Sequence, residues 1–382
     1  MPSFVLAAFL LGFRSLVLAN VGSTLPRHAF ATLGQNGTSS QVSGALSISS
    51  FDSSTTVLGI VTGLEPGQHG FHIHESADFS DGCDSTGGHW NPFNTDHGAP
   101  LNSINSKHLG DFGNIQADES GTALVNVSID EDLLAELFRN ESQSTRVFLV
   151  HEDPDDLGLG NNNGSALHGN AGPRLKCGVI SAFEPIRARA VLDSGPEEHE
   201  NITGTIEMNS LSPTTLRLTG NISGLEPGSA HGLHIHTGPA EEADTCGPSV
   251  TGGHYNPLER NHSSPENPIL ERHMGDFGNV VADANGIAPV DMEVENVFLW
   301  GPYSVVGRSW VLHAGEDDLG LGGASDSLTT GAAGGRIRCG TIRLLDSDAG
   351  GGDSNADDSS AKAVSTSAAV AAAFLAVLFL LA

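Results

Sequence analysis

A chain of 382 residues has room for two or three domains, and its 48 glycines and 18 prolines describe short strands joined by long loops rather than helices. Forty-six acidic against seventeen basic side chains give a formal net charge of -29. That balance argues against nucleic acid or an anionic membrane surface as a binding partner, and its simplest meaning is solubility.

Residues 1–19 open with an apolar run, Phe4 to Phe13, and close on Val17-Leu18-Ala19, a small-residue cleavage context. The run is too short to span a bilayer and reads as a secretory signal peptide. From Ala29 to Gly63 the residues alternate and break at Gly34-Gln35-Asn36-Gly37 and Phe51-Asp52-Ser53-Ser54, which predicts antiparallel hairpins. After the turn Leu64-Glu65-Pro66-Gly67 comes Gly70-Phe71-His72-Ile73-His74. Two histidines two apart on a strand share a face, so both imidazoles can converge on one ion. His69, just ahead of them, reads as a hydrogen-bonding structural residue rather than a ligand.

Glu75 to Gly113 is a long loop rich in Gly, Asn and Pro, of a kind that a compact domain keeps for function. It carries His89, His97, His108 and Asp111, the ligand number and type of a tetrahedral zinc site. Val147-Phe148-Leu149-Val150-His151 is a hydrophobic strand whose last residue can reach toward His72 and His74. A second long loop then leads to Arg174-Leu175-Lys176-Cys177.

The whole pattern occurs twice. Gly232-Leu233-His234-Ile235-His236 stands 162 positions after the first paired-histidine strand, Gly-Gly-His-Trp-Asn-Pro at 87–92 returns as Gly-Gly-His-Tyr-Asn-Pro at 252–257, and Gly-Asp-Phe-Gly-Asn at 110–114 returns at 275–279. The period predicts two domains, 24–184 and 185–346, each burying its own core. The four cysteines fall two per repeat, Cys83 with Cys177 and Cys246 with Cys339, and this equal placement suggests one disulfide in each, formed in an oxidising compartment. A Cys83–Cys177 link would close a loop of about 95 residues and add roughly 4 to 5 kcal/mol in the chain-entropy model.

Residues 347–367 form a polar linker with small residues such as Ser354-Asn355-Ala356, and 368–382 an apolar tail without a basic flank. This is the pattern of a GPI-anchor signal whose tail is removed; the alternative is a tail-anchored helix, which fifteen alanine-rich residues would serve poorly. Sequons at Asn36, Asn126, Asn140, Asn163, Asn201, Asn221 and Asn261 fit a secreted surface glycoprotein.

The strings Gly-Phe-His-Ile-His-Glu, Gly-Gly-His-Trp-Asn-Pro, His-Leu-Gly-Asp-Phe-Gly-Asn, Val-His-Glu-x-x-Asp-Asp-Leu-Gly and Gly-Asn-Ala-Gly-Pro-Arg-Leu-Lys-Cys-Gly together resemble the Cu,Zn superoxide dismutases, twice in tandem. The resemblance implies an all-β fold, two consecutive eight-stranded Greek-key β-barrel or sandwich domains. It implies copper ligands His72, His74, His89 and His151, and zinc ligands His89, His97, His108 and Asp111, with His89 bridging the two metals. Asp155 takes the place of the outer carboxylate that orients a histidine at each metal, and Arg174 that of the residue docking the substrate anion. In the second repeat the same carry-over gives copper His234, His236, His254 and His313, zinc His254, His262, His273 and Asp276, the outer carboxylate Asp317 and the docking Arg336.

The implied cofactors are one copper and one zinc per repeat. The implied reaction disproportionates two superoxide anions, with two protons, to dioxygen and hydrogen peroxide through Cu(II)/Cu(I) cycling. The sequence further predicts a secreted protein held at the cell surface, on plasma membrane or cell wall, by the GPI anchor, with barrels paired within one chain or between two. Two features depart from the family pattern. The loop Leu157 to Pro173 has no Lys, Arg or carboxylate, and its counterpart Leu319 to Gly335 has only Asp326. The competing readings are a non-catalytic metal-binding surface module and a chain with one active repeat.

Overall fold

The computed structural model describes residues 27–51, 54–139, 145–240 and 246–345. The signal peptide, the polar linker, the anchor tail and the Asn140 sequon lie outside the described residues.

Alternation in the first repeat becomes strand after strand. These are β1 (His28–Leu33), β2 (Ser43–Phe51), β3 (Ser54–Thr62), β4 (Gly67–His74), β5 (Asp111–Ala117), β6 (Ala123–Ile129), β7 (Val147–His151) and β8 (Arg174–Ala182). They lie in the order β1-β2-β3-β6-β5-β4-β7-β8, and β8 pairs back onto β1 with Ala29 opposite Ala182, closing an eight-stranded barrel. Chain neighbours β3 and β4 are thus separated by the β5–β6 pair, the crossing that makes the barrel a Greek key. Inside it Phe71 stacks on Phe148 at 4.9 Å and meets Phe112 edge-on at 5.9 Å.

The second repeat follows with β9 (Arg187–Leu192), β10 (Thr203–Ser210), β11 (Thr215–Ser223), β12 (Ala230–His236), β13 (Asp276–Val281), β14 (Ile287–Glu295), β15 (Ser309–His313) and β16 (Arg336–Thr341). Strand neighbours are the same, but they divide into two sheets, β14-β11-β10-β9 and β13-β12-β15-β16. The seam beside β9 is closed by the Ser194–Cys339 bridge and, past Ile342, by a two-residue ladder that sets Ala188 and Arg189 of β9 opposite Leu344 and Arg343. Cys83 is bonded to Cys177 and Cys246 to Cys339, each with Cα atoms 5.9 Å apart.

The described residues form one compact unit. The second core does not stop at its own repeat: it takes in Ala45 and Ile60 of the first barrel. A segment of the second repeat around residues 297–305 lies against β1, β2 and β3. Trp300 packs on Phe30 with ring centroids 4.7 Å apart, the Tyr303 hydroxyl is 2.8 Å from Thr62 Oγ1, and it donates to the Ser43 carbonyl at 3.3 Å. At a second point Arg260 donates to Asp118 at 2.7 Å. Ordered aromatic packing of this kind contributes beyond the area that it buries.

Candidate metal centre

The pleat of β4 sends His72 and His74 to one side, and β7, paired beside it, ends on His151. The long loop returns His89 to this face through an isolated bridge to His74. His72, His74, His89 and His151 are all buried, with donor nitrogens within 4.8 Å of one another. His89 also belongs to the neighbouring group of His89, His97, His108 and Asp111, so one imidazole serves both clusters. The second repeat builds the same pair, His234, His236, His254 and His313 beside His254, His262, His273 and Asp276.

Donor chemistry separates the two clusters. Around Asp111 Oδ1 stand Nδ1 of His89, His97 and His108 at 2.9, 2.9 and 3.1 Å. Around Asp276 Oδ1 stand Nδ1 of His254, His262 and His273 at 2.9, 2.8 and 3.1 Å. Three imidazoles and a carboxylate oxygen converging on one point form a zinc-type donor set. The four-imidazole clusters suit a redox metal such as copper. Nδ1 of His72 and Nε2 of His89, with Nδ1 of His234 and Nε2 of His254, are buried without a hydrogen-bond partner. Such atoms cost about 1–3 kcal/mol each when left unmatched, and a bound cation uses those lone pairs. The residues therefore fit copper and zinc.

A single carboxylate ties the clusters together. Asp155 accepts from His72 Nε2 at 2.9 Å through one oxygen and from His97 Nε2 at 2.8 Å through the other. Asp317 does the same for His234 and His262, both at 2.8 Å. Each ring is thereby turned so that Nδ1 faces its cluster. His69 and His231 lie underneath, their Nδ1 atoms donating to the carbonyls of His151 and His313 at 2.9 and 2.8 Å.

Burial and these contacts set the protonation. Burial, helped by neighbouring imidazoles, pushes His72 and His74 well below the usual histidine range and His151 down to about 3. In the second repeat it lowers His234 to about 3, His236 well below the usual range and His313 to about 4. These rings are neutral at neutral pH, the form that binds a metal. His97 and His262 are opposite cases: burial would lower them, but two carboxylate partners each outweigh it and hold both up to about 9.

Arg174 begins β8 directly opposite His151. Its Nη1 donates to the Cys83 carbonyl at 2.9 Å and to Thr86 Oγ1 at 3.0 Å, and its Nη2 to the Gly87 carbonyl at 2.7 Å. Arg336 repeats the clamp on Cys246, Thr251 and Gly252 at 3.3, 2.6 and 2.7 Å. A half-buried guanidinium is so fixed at the edge of each four-histidine cluster.

The family model for copper/zinc superoxide dismutase matches residues 42–180 and again 202–342. The chain belongs to the copper/zinc superoxide dismutase family. It is an oxidoreductase acting on superoxide, built as a tandem repeat. It is 39% identical over 142 residues to superoxide dismutase [Cu-Zn] 5 of Dictyostelium discoideum, covering 37% of this chain and 90% of that one. It is 43% identical over 159 residues to superoxide dismutase [Cu-Zn] 2 of Mesembryanthemum crystallinum, covering 42% and 96%. To the extracellular superoxide dismutase [Cu-Zn] of Caenorhabditis elegans it is 47% identical over 137 residues, covering 35% of this chain and 60% of that protein.

Three pairs of residues outside the sequence-predicted set also shape the site. Thr86 and Thr251 each accept from the arginine of their repeat, and Thr86 Oγ1 also lies 3.4 Å from His74 Nδ1. Asn114 and Asn279 brace the outer carboxylates, each exchanging hydrogen bonds with the Asp155 or Asp317 backbone. Gly169 (φ 64°) and Gly331 (φ 63°) pass so close that a Cβ would collide with Asp155 or Asp317. Repetition was the signal, since each residue recurs at the matching place.

Proposed function

We propose that each repeat is a complete superoxide-disproportionating centre. Copper is held by His72, His74, His89 and His151 or by His234, His236, His254 and His313; zinc is held by His89, His97, His108 and Asp111 or by His254, His262, His273 and Asp276. The observation that carries the reading is the double cluster around one shared imidazole, built twice, with an arginine clamped beside each.

Bound copper supplies one-electron chemistry, taking an electron from one superoxide and returning it to a second. Arg174 or Arg336 presents a fixed positive charge to the arriving anion, so little reorganisation is needed when it docks. In the half of the cycle in which Nε2 of His89 or His254 is not ligated, it would carry one proton to the reduced oxygen and water would supply the second, giving one dioxygen and one hydrogen peroxide for two superoxides and two protons. Asp155 and Asp317 keep the rings in register throughout.

Export supports this setting. The predicted signal peptide, two disulfides, seven sequons and the likeness to a relative named extracellular all favour secretion, and the polar linker with its apolar tail favours a GPI anchor. Release of activity from intact cells by a phosphatidylinositol-specific phospholipase checks the anchor.

The decisive experiment compares superoxide disproportionation by the metal-loaded chain with His89→Ala, His254→Ala and the double variant. About half the rate lost in each single variant and all of it in the double is expected for two independent sites. Loss in one single variant only limits catalysis to that repeat, and an inactive, copper-replete parent leaves a metal-binding module.

A further inference from the structure

The two repeats use the outer face of the same sheet differently. In the first repeat Tyr303 is held by Thr62 and Ser43, which stand opposite one another in the β2–β3 ladder. Their counterparts in the β10–β11 ladder are Ser223 and Thr203, also opposite one another, each followed by the matching glycine. The same register places Thr205 where the first repeat has Ala45, Thr219 where it has Leu58, and Asn221 where it has Ile60. The apolar floor that receives an aromatic segment has thus become hydroxyl and amide.

That second face is concave. Thr203, Thr205, Glu207, Thr219, Asn221 and Ser223 are among the residues lining a hollow of about 440 Å³. Polar groups of this density are costly to cover with apolar side chains and well matched by a ligand rich in hydroxyls. Two of the lining residues complete sequons: Thr203 ends Asn201-Ile202-Thr203, and Ser223 ends Asn221-Ile222-Ser223. The two asparagines differ. Both are exposed, but Asn221 lines the hollow, whereas the Asn201 amide donates to the Gly224 carbonyl at 3.1 Å, bracing the strand ends.

We propose that Asn221 carries an N-linked glycan whose first sugar lies in this hollow and covers the face that protein covers in the first repeat. The N-glycosidic bond forms between Asn221 Nδ2 and the anomeric carbon of a lipid-pyrophosphate-linked oligosaccharide; the amide gives up one proton and the lipid pyrophosphate leaves. The inference rests on the proposed export of the chain, since the transfer needs a secretory compartment.

The test uses the full chain produced in a secreting eukaryotic cell. Enzymatic deglycosylation in heavy-oxygen water, followed by peptide mass mapping, marks each asparagine that bore sugar. Hydrogen exchange across Thr203–Ser210 and Thr215–Ser223 is compared before and after sugar removal, with Asn221→Gln and Ser223→Ala as sugar-free references. The expected result is a label at Asn221 and about threefold faster exchange in both strands once the sugar is gone. An unlabelled Asn221 beside a labelled Asn201 or Asn261 overturns the inference while leaving export intact. A labelled Asn221 with unchanged exchange also overturns it, because the sugar then stands away from the face. No label at any sequon overturns the export reading and this inference with it.

Discussion

Arg174 donates through Nη1 to the carbonyl of Cys83 at 2.9 Å, and Cys83 is cross-linked to Cys177, three residues beyond that arginine on β8. The disulfide therefore fixes both ends of the clamp: the strand that carries the guanidinium and the loop that receives it. Replacing the pair in a Cys83→Ser/Cys177→Ser variant with copper and zinc still bound is expected to lower kcat/KM of the first site about tenfold, through misplacement of the docking charge. The measurement is made in a His254→Ala background, so that the first site is read alone. Unchanged kcat/KM with full metal content would show that the disulfide does not position Arg174.

One carboxylate bonded to a histidine of each cluster makes a second prediction. Asp155→Asn offers an amide where His72 and His97 both donate, so one of the two rings loses its acceptor and its orientation. Affinity at the first repeat should fall about 10- to 100-fold for copper and zinc alike, the usual range for outer partners of metal ligands. Chelator competition against Asp317→Asn, which should affect only the second repeat, provides the readout. A loss confined to one metal contradicts the shared role.

Burial and carboxylate contacts predict how the metal-free chain responds to pH. His151, His234 and His313 are lowered to about 3, 3 and 4, so between those values and 6.5 the unfolded chain binds protons that the folded chain refuses. Their contribution to stability is present above 6.5 and is lost as pH falls. His97 and His262, raised to about 9, act in the opposite sense: their contribution is present below 6.5 and is lost as pH rises toward 9. Denaturant midpoints of the metal-free chain should therefore peak near neutrality, with the steeper fall on the acid side, where more buried histidines act together. Zinc should flatten the alkaline limb, because it replaces the proton on the ligand nitrogen. Midpoints that are flat from pH 4 to 9 would count against this assignment.

Much of the centre was legible because its logic is local. A strand period of two puts His72 and His74 together, and a loop with three histidines and an aspartate declares a ligand set before any fold is known. Gly169 was not legible, since its need for glycine comes from Asp155 standing above it, fourteen residues earlier in the chain. Thr86 likewise becomes functional only when Arg174 arrives from the far side of the disulfide. The packing of the repeats was hidden for another reason. At the place of the Trp300 segment, the first repeat folds into the short helix Leu133–Leu137, capped by Asp132, so the repeated pattern breaks where the contact is made.

The long loops beside each arginine carry almost no charge and expose leucines instead, Leu159 at 75% and Leu321 at 84%. With a net charge of -29, long-range attraction of an anion is replaced by mild repulsion, and Arg174 and Arg336 act only within about 8 Å at physiological salt. The rate constant for superoxide should accordingly stay level or rise by up to about twofold as salt increases from low to physiological strength. Pulse-radiolysis rates measured across that range provide the check. A steep fall with salt would mean that a favourable field guides the substrate after all.

Trp300 and Tyr303 decide whether the repeats unfold as one body. Trp300 is buried, donates its indole N–H to the Pro213 carbonyl at 2.7 Å and packs on Phe30 of the first barrel. Its removal takes away an aromatic anchor of the kind that costs about 3–5 kcal/mol in a packed interior. The Arg260–Asp118 pair, partly open to solvent, should add only about 0–1 kcal/mol to the same contact. The intact chain is thus expected to melt in a single calorimetric transition, and Trp300→Ala/Tyr303→Ala in two, while Arg260→Ala keeps one. Both metal clusters lie away from the altered side chains within their own repeats, so metal content should be retained in the double variant. A single transition in that variant would place the coupling between repeats elsewhere, in the 183–186 connection that joins β8 to β9.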